Sequence, residues 1–237
     1  MNSPGYKPFI IGVSGGVASG KSEACFKVQD ELLKKNPKNK CNVLSLSLFY
    51  KDLSEEDIMV AKKGDFNFDH PNSFDFDELY EVLMKIKNFQ SVVLREYDLN
   101  EFKRTDKELI VPDDVDVVIV EGILTFHEAK VRDVFDMKIF VDCDADTRLS
   151  RKVQRDIQNN RNLNNVLDNY FKYVKPAFEQ FCHPTKVYAD LILPRAHENY
   201  VGVELIIEHL NQIMYESHSD ENCLTLNRIS DLKIRPH

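Results

Sequence analysis

No apolar run in these 237 residues is long enough to span a bilayer: the longest, residues 115–124, is interrupted by Asp116 and Glu121. Positive charge is in deficit. With 31 Lys and Arg against 39 Asp and Glu, the net charge is −8, so no general attraction to nucleic acid or to an anionic membrane is expected. The five cysteines form no C-x-x-C pair and show no metal-ligand spacing, and their number is odd. That excludes a disulfide scaffold and points to reduced thiols in a cytoplasmic protein. Residues 1–7 have no apolar core of a secretory signal, and no internal repeat is visible.

What is present begins with eight residues. Gly15, Gly16, Val17, Ala18, Ser19, Gly20, Lys21 and Ser22 match the phosphate-loop pattern G-x-x-x-x-G-K-[ST]. An apolar stretch at 8–13 reads as the strand feeding it, and 23–35, with Ala24, Val28 and Leu32, as the helix leaving it. In that setting the glycines let successive N–H groups face a phosphate, and the helix N-terminus adds favourable partial charge. Lys21 would reach the β- and γ-phosphates of ATP, and Ser22 would ligate Mg²⁺. A Gly-rich turn of purely structural use does not need this strand–loop–helix context.

Further apolar runs at 42–48, 115–120, 137–141 and 189–193 alternate with helical patterns at 54–63, 75–87, 127–134, 144–158, 164–181 and 199–214. The alternation predicts an α/β fold, a doubly wound parallel sheet of about five strands whose ligands bind at the strands' carboxyl ends. Residues 91–97 and 108–111, flanking a charged turn at 98–107, predict an inserted β-hairpin that could serve as a substrate flap. The expected organisation is one domain over 1–215, with 216–237 a loosely held, disordered tail as the apolar periodicity fades.

Three groups carry chemistry. The apolar stretch 117–120 ends in Glu121, placed to hold Mg²⁺ directly or through water. Arg148, Arg151, Lys152 and Arg155 recur at helical spacing and predict a cationic lid over a triphosphate; a solvated face paired with Asp144, Asp146 and Asp156 is the alternative. Phe66-Asn67-Phe68-Asp69-His70-Pro71 puts two aromatics beside a carboxylate, which suits stacking a base and bonding sugar hydroxyls. His70 alone reads as structural.

Together with Glu121-Gly122-Ile123-Leu124, Asp144-Ala145-Asp146-Thr147-Arg148-Leu149-Ser150-Arg151, Val174-Lys175-Pro176-Ala177-Phe178 and His183-Pro184-Thr185-Lys186, these strings make the chain resemble the uridine–cytidine kinase family over about residues 7–215. The resemblance implies transfer of the γ-phosphoryl of ATP to the 5′-hydroxyl of uridine or cytidine, a need for Mg²⁺, and a homotetramer. It implies that Asp69 holds the ribose hydroxyls, that Tyr50, Phe68 and Tyr97 line the nucleoside pocket, that Arg155 and Arg161 belong to the lid, and that Glu198 is an acid near the adenine.

Departures from the family pattern cluster at the chemistry. Ser47 stands where the family has its general-base Asp, and Phe102 where a His reads the pyrimidine. Lys152 replaces an Arg, Asn169 a Gln, and the turn at 159–161 is one residue shorter. Neither Asp52, beyond the Tyr50 anchor, nor Asp69, committed to ribose, is expected to replace the base. Two readings follow: a kinase of impaired turnover, or a non-catalytic nucleotide-binding paralogue that assembles with an active relative. The N-K-x-D motif of a Ras-like GTPase is absent.

Overall fold

The computed structural model describes residues 7–231. Five strands form the central sheet: β1 (Phe9–Gly15), β2 (Cys41–Ser45), β5 (Val117–Gly122), β6 (Met137–Asp142) and β7 (Leu191–Pro194), in the order β2-β5-β1-β6-β7. All four neighbouring pairs are parallel. β1 and β5 are buried along almost their whole length, which accounts for runs of continuous rather than alternating apolarity.

The helices are α1 (Lys21–Lys35), α2 (Glu55–Lys62), α3 (Phe76–Lys87), α4 (Ala129–Arg132), α5 (Ala145–Gln158), α6 (Leu163–Asn169), α7 (Lys175–Ala177) and α8 (Tyr200–Asp231). On one face of the sheet, Val28 and Leu32 of α1 and Val203, Ile207 and Leu210 of α8 cover Val13, Ile119 and Val141. On the other, Leu79, Leu83 and Ile86 of α3 join Phe126, Phe135 and Phe140. Strands β3 (Val92–Asp98) and β4 (Lys103–Val111) form a separate antiparallel hairpin.

Three local expectations are revised. β2 ends at Ser45, not 48. Its continuation Leu46–Phe49 is a 3₁₀ turn, because the Ser45 hydroxyl accepts the Ser47 N–H at 3.3 Å and competes with ladder pairing. The hairpin turn is only residues 99–102. The charges at 103–108 lie on an exposed ribbon, where Lys107 meets Glu96 at 2.7 Å, and so imitate a turn in sequence. The helix expected over 164–181 is broken into α6, α7 and two wide π-type stretches, Tyr170–Val174 and Phe178–Cys182.

α8 also extends past 215. Val203, Ile206, Ile207, Leu210 and Met214 anchor its first part, and an anchored helix propagates one residue at a time at little cost. The backbone of 216–231 is helical where the sequence suggested a loose tail, and 232–237 lie outside the described residues.

Candidate active site

The phosphate loop lies where β1 leaves the sheet. Its geometry depends on missing side chains. A Cβ at Gly15 would lie 2.6 Å from the Val141 carbonyl oxygen, and one at Gly16 2.5 Å from Arg148 Nη1. Gly20 takes φ 88 and begins α1, whose first turn has no side-chain cap; Ala18 takes φ 57. The Ser19 N–H closes the loop on the Gly16 carbonyl at 3.1 Å, while Ser19 Oγ is buried with no hydrogen-bond partner. An uncapped helix N-terminus and an orphaned hydroxyl beside backbone that no Cβ could approach fit a polyphosphate.

Arg148 is the loop's neighbour on α5. Its guanidinium lies 3.8 Å from the Phe178 ring centroid, and its Nε donates to the Cys143 carbonyl at 3.0 Å. Gly16→Ala would push this wedged group aside. Overpacking of this kind costs about 1–3 kcal/mol. We expect ATP affinity, read by calorimetry with Mg²⁺, to fall about ten-fold.

Glu121 ends β5 in register with both Val13 and Ser45. Lys21 Nζ stands 3.9 Å from its Oε2, with both side chains about one-tenth exposed, and that oxygen has no hydrogen-bond partner. Ser22 follows in the first turn of α1, half-buried. A cation, a hydroxyl and a carboxylate with a free lone pair are a chemically suitable set for a Mg²⁺–triphosphate. Ser47 lies in the 3₁₀ turn that follows β2. Its hydroxyl donates to Ser45 Oγ at 2.9 Å, so it answers a neighbour rather than facing the cleft unpaired.

The cationic stretch on α5 is not a uniform solvated face. Arg148 and Lys152 are buried at 4% and 5% exposure, as is Asp156 at 2%. Lys152 Nζ donates to Asp156 Oδ2 at 2.6 Å, Arg155 Nε to Oδ1 at 3.0 Å, and Arg161 Nη1 lies 4.0 Å from Oδ2. Burial alone would raise this carboxyl, but the Lys152 and Arg155 charges hold it below the usual range. Asp156 thus gathers three cations. The sequence hinted at it only through the i, i+4 spacing from Lys152. Arg151 is occupied elsewhere, bonded to Glu198 and 3.4 Å from the Ser19 carbonyl.

An aromatic box adjoins the loop. Tyr50 stacks on Phe74 at 4.5 Å and meets Tyr97 at 5.3 Å and Phe68 edge-on at 5.5 Å; Phe68 lies parallel to Phe102 at 5.7 Å. Phe102 is buried and takes φ 55 at the hairpin tip. Tyr97 Oη is buried without a hydrogen-bond partner. Asn169 ends α6, half-buried. Asp69 and the loop residues Gly16 and Val17 line one cleft, closed by Leu124, Phe178 and Cys182. Burial lifts the Asp69 carboxyl to about 6, against the pull of Lys152, Lys21 and Arg155. His70 is structural: its Nδ1 accepts the Asn72 N–H at 3.1 Å and its ring packs on Phe181 at 4.9 Å.

Comparison with known proteins agrees with this geometry. The family described as Phosphoribulokinase / Uridine kinase matches residues 10–202. The chain is 46% identical to uridine-cytidine kinase 2-B of Danio rerio over 213 residues, covering 88% of this chain and 81% of that protein. It is 42% identical to uridine kinase-like protein 4 of Arabidopsis thaliana over 86% of its length, though it spans only 42% of that longer relative. The solved phosphoribulokinase of Rhodobacter spheroides shares the fold, with a TM-score of 0.52 at 17% identity, over 74% of this chain and 68% of that one.

Proposed function

Starting from the membership of this chain in the phosphoribulokinase/uridine kinase family, we propose that it phosphorylates the 5′-hydroxyl of uridine and cytidine with ATP, slowly. The observation that carries this reading is the single cleft joining the phosphate loop at Gly16 and Val17 to Asp69, with Phe68 and the aromatic box next in line. Phosphate loop, carboxylate and aromatic cluster thus stand next to one another, the order a phosphoryl donor and a nucleoside acceptor require.

In this mechanism the loop amides, Lys21 and the lid residues Arg155 and Arg161 hold the triphosphate, and Glu198 stands on the adenine side through its tie to Arg151. Ser22 and Glu121 would hold Mg²⁺, and the chemistry it would supply there is neutralisation of the triphosphate's charge. Tyr50, Phe68, Tyr97 and Phe102 stack the base, Asp69 holds the ribose, and Lys152 and Asn169 flank the sugar. Phe102 offers no hydrogen bond to a pyrimidine edge, so discrimination between uracil and cytosine is weak. Each missing bond of this kind is worth about 1 kcal/mol.

The catalytic unit is residues 1–215, working in the cytoplasm of the cell as a homotetramer without nucleic acid or membrane partners. The exposed Val93 and Ile110, paired across the hairpin, support self-association, and no helix among the described residues is long and apolar enough to cross a membrane.

Transfer of labelled γ-phosphate from ATP to uridine and cytidine tests the reading. We expect slow formation of UMP and CMP, and Ser47→Asp should raise kcat by about 10-fold or more, since a positioned base contributes about 10²–10⁴-fold. A parent chain that binds ATP but transfers nothing to either nucleoside would favour the second reading, a non-catalytic nucleotide-binding subunit. The hydrogen bond of the Ser47 hydroxyl to Ser45, in place of an acid, is what motivates that alternative.

A further inference from the structure

We propose that Arg148 is a positioning residue of the phosphate loop, a buried cation with no acid of its own whose countercharge is the polyphosphate. The inference rests on the kinase reading above. Among the described residues, Arg148 is the one cation of α5 that forms no ion pair. Arg151 is bonded to Glu198, and Lys152 and Arg155 share Asp156. Arg148 is buried, and its hydrogen bond there is that of Nε to the Cys143 carbonyl at 3.0 Å. The acids nearest in sequence lie elsewhere: Asp144 and Asp146 are exposed, and Asp142 accepts from Lys186 at 2.8 Å.

Folding alone gives no reason for such a charge. A buried guanidinium without a carboxylate carries its desolvation uncompensated. Its place on the helix adds to that cost. Arg148 is the fourth residue of α5, and its bond to Cys143, which precedes the helix, draws the charge toward the N-terminal end. A helix dipole disfavours a cation at that end. The Phe178 ring, its centroid 3.8 Å from the guanidinium carbon, offsets part of the penalty.

What the charge faces is the loop. A Cβ built on Gly16 would fall 2.5 Å from Arg148 Nη1 and 3.0 Å from its Cδ and Cζ, so the guanidinium lies against the loop backbone. Ser19 Oγ, in the same loop, is buried without a hydrogen-bond partner. One loop thus carries two polar groups that the chain itself does not satisfy, and an oxyanion suits both. Gly16 and Phe178, the two groups that sandwich the guanidinium, also line the cleft. Arg148 therefore acts on the phosphates across the loop it braces, and does not move with the outer lid cations.

The test compares the parent with Arg148→Met, which keeps the bulk and removes the charge, and Arg148→Lys, which keeps the charge and loses the planar fork. Titration calorimetry reads the binding of inorganic triphosphate and of ATP, each with Mg²⁺, and scanning calorimetry reads the melting temperature without ligand. We expect Arg148→Met to weaken both ligands by about 10–100-fold, the worth of one contact to a charged group. It should melt no lower than the parent, because the uncompensated charge leaves with the side chain. Arg148→Lys should recover most of the lost affinity. In turnover, KM for ATP should rise in Arg148→Met while KM for uridine holds. Triphosphate affinity within about two-fold of the parent's in Arg148→Met, equal losses in the two variants, or a melting temperature several degrees lower in Arg148→Met would overturn the proposal. Arg148 would then be core packing, and the kinase reading would stand. A folded parent that binds neither triphosphate nor ATP would overturn both.

Discussion

Lys21→Met is expected to abolish measurable phosphoryl transfer, lowering kcat by about 10³-fold or more, and also to destabilise the protein. The catalytic part follows from the loose transition state, in which charge on the transferred group is stabilised by fixed donors worth about 10²–10³-fold each. The stability part follows from the partner. Lys21 Nζ is 3.9 Å from Glu121 Oε2, both side chains are largely buried, and that oxygen has no other bond. At this separation the attraction is about 4 kcal/mol for an effective dielectric of about 20. Leaving one member of such a pair buried alone costs about 3–5 kcal/mol. The double variant Lys21→Met with Glu121→Gln separates the two effects: its melting temperature should return most of the way to the parent's while turnover stays lost. A single variant within ten-fold of parental kcat would show that the ammonium group does not act on the phosphates.

The sheet and the phosphate loop were legible because each depends on a short, contiguous pattern. Ile10, Ile11 and Val13 are buried on both faces of the sheet, so β1 reads as unbroken apolarity. Gly20 answers a local backbone demand, a positive φ, while Gly15 and Gly16 make room for Val141 and Arg148; all three fall in one recognisable string. The lid was harder to read. Its cations are legible as a helical stripe, but burial of Lys152 and Asp156 comes from packing across α5 and α6, which spacing alone does not carry. The wedge of Arg148 between Gly16 and Phe178 joins residues 162 positions apart in sequence, and nothing local announces it. The environment of Asp69 has the same cause: burial and the charges of Lys152, Lys21 and Arg155 act on its carboxyl from α1 and α5, far away in sequence.

Asp156→Ala should be the most destabilising single change in the lid. With the carboxylate gone, the Lys152 ammonium, 5% exposed, keeps its burial and loses its 2.6 Å partner. The cost of an uncompensated buried charge is about 3–5 kcal/mol. For a chain of this size that corresponds to a fall in melting temperature of roughly 10 °C. Arg155 and Arg161 lose their anchor as well, so KM for ATP should rise. The pH dependence has a definite sign. The Asp156 carboxyl sits below its ordinary range in the folded protein, so its stabilisation is fully present above the unfolded aspartate value of about 3.9 and fades as pH falls through the lower folded value. Parent and variant should therefore differ by a constant amount between about pH 5 and 8, and converge only in strong acid. Adding Lys152→Met to Asp156→Ala removes the stranded charge and should restore several degrees without restoring ATP affinity. If scanning calorimetry found the single variant as stable as the parent at pH 7, the three cations would not be drawn together by this carboxylate, and the lid would owe its position to α5 packing alone.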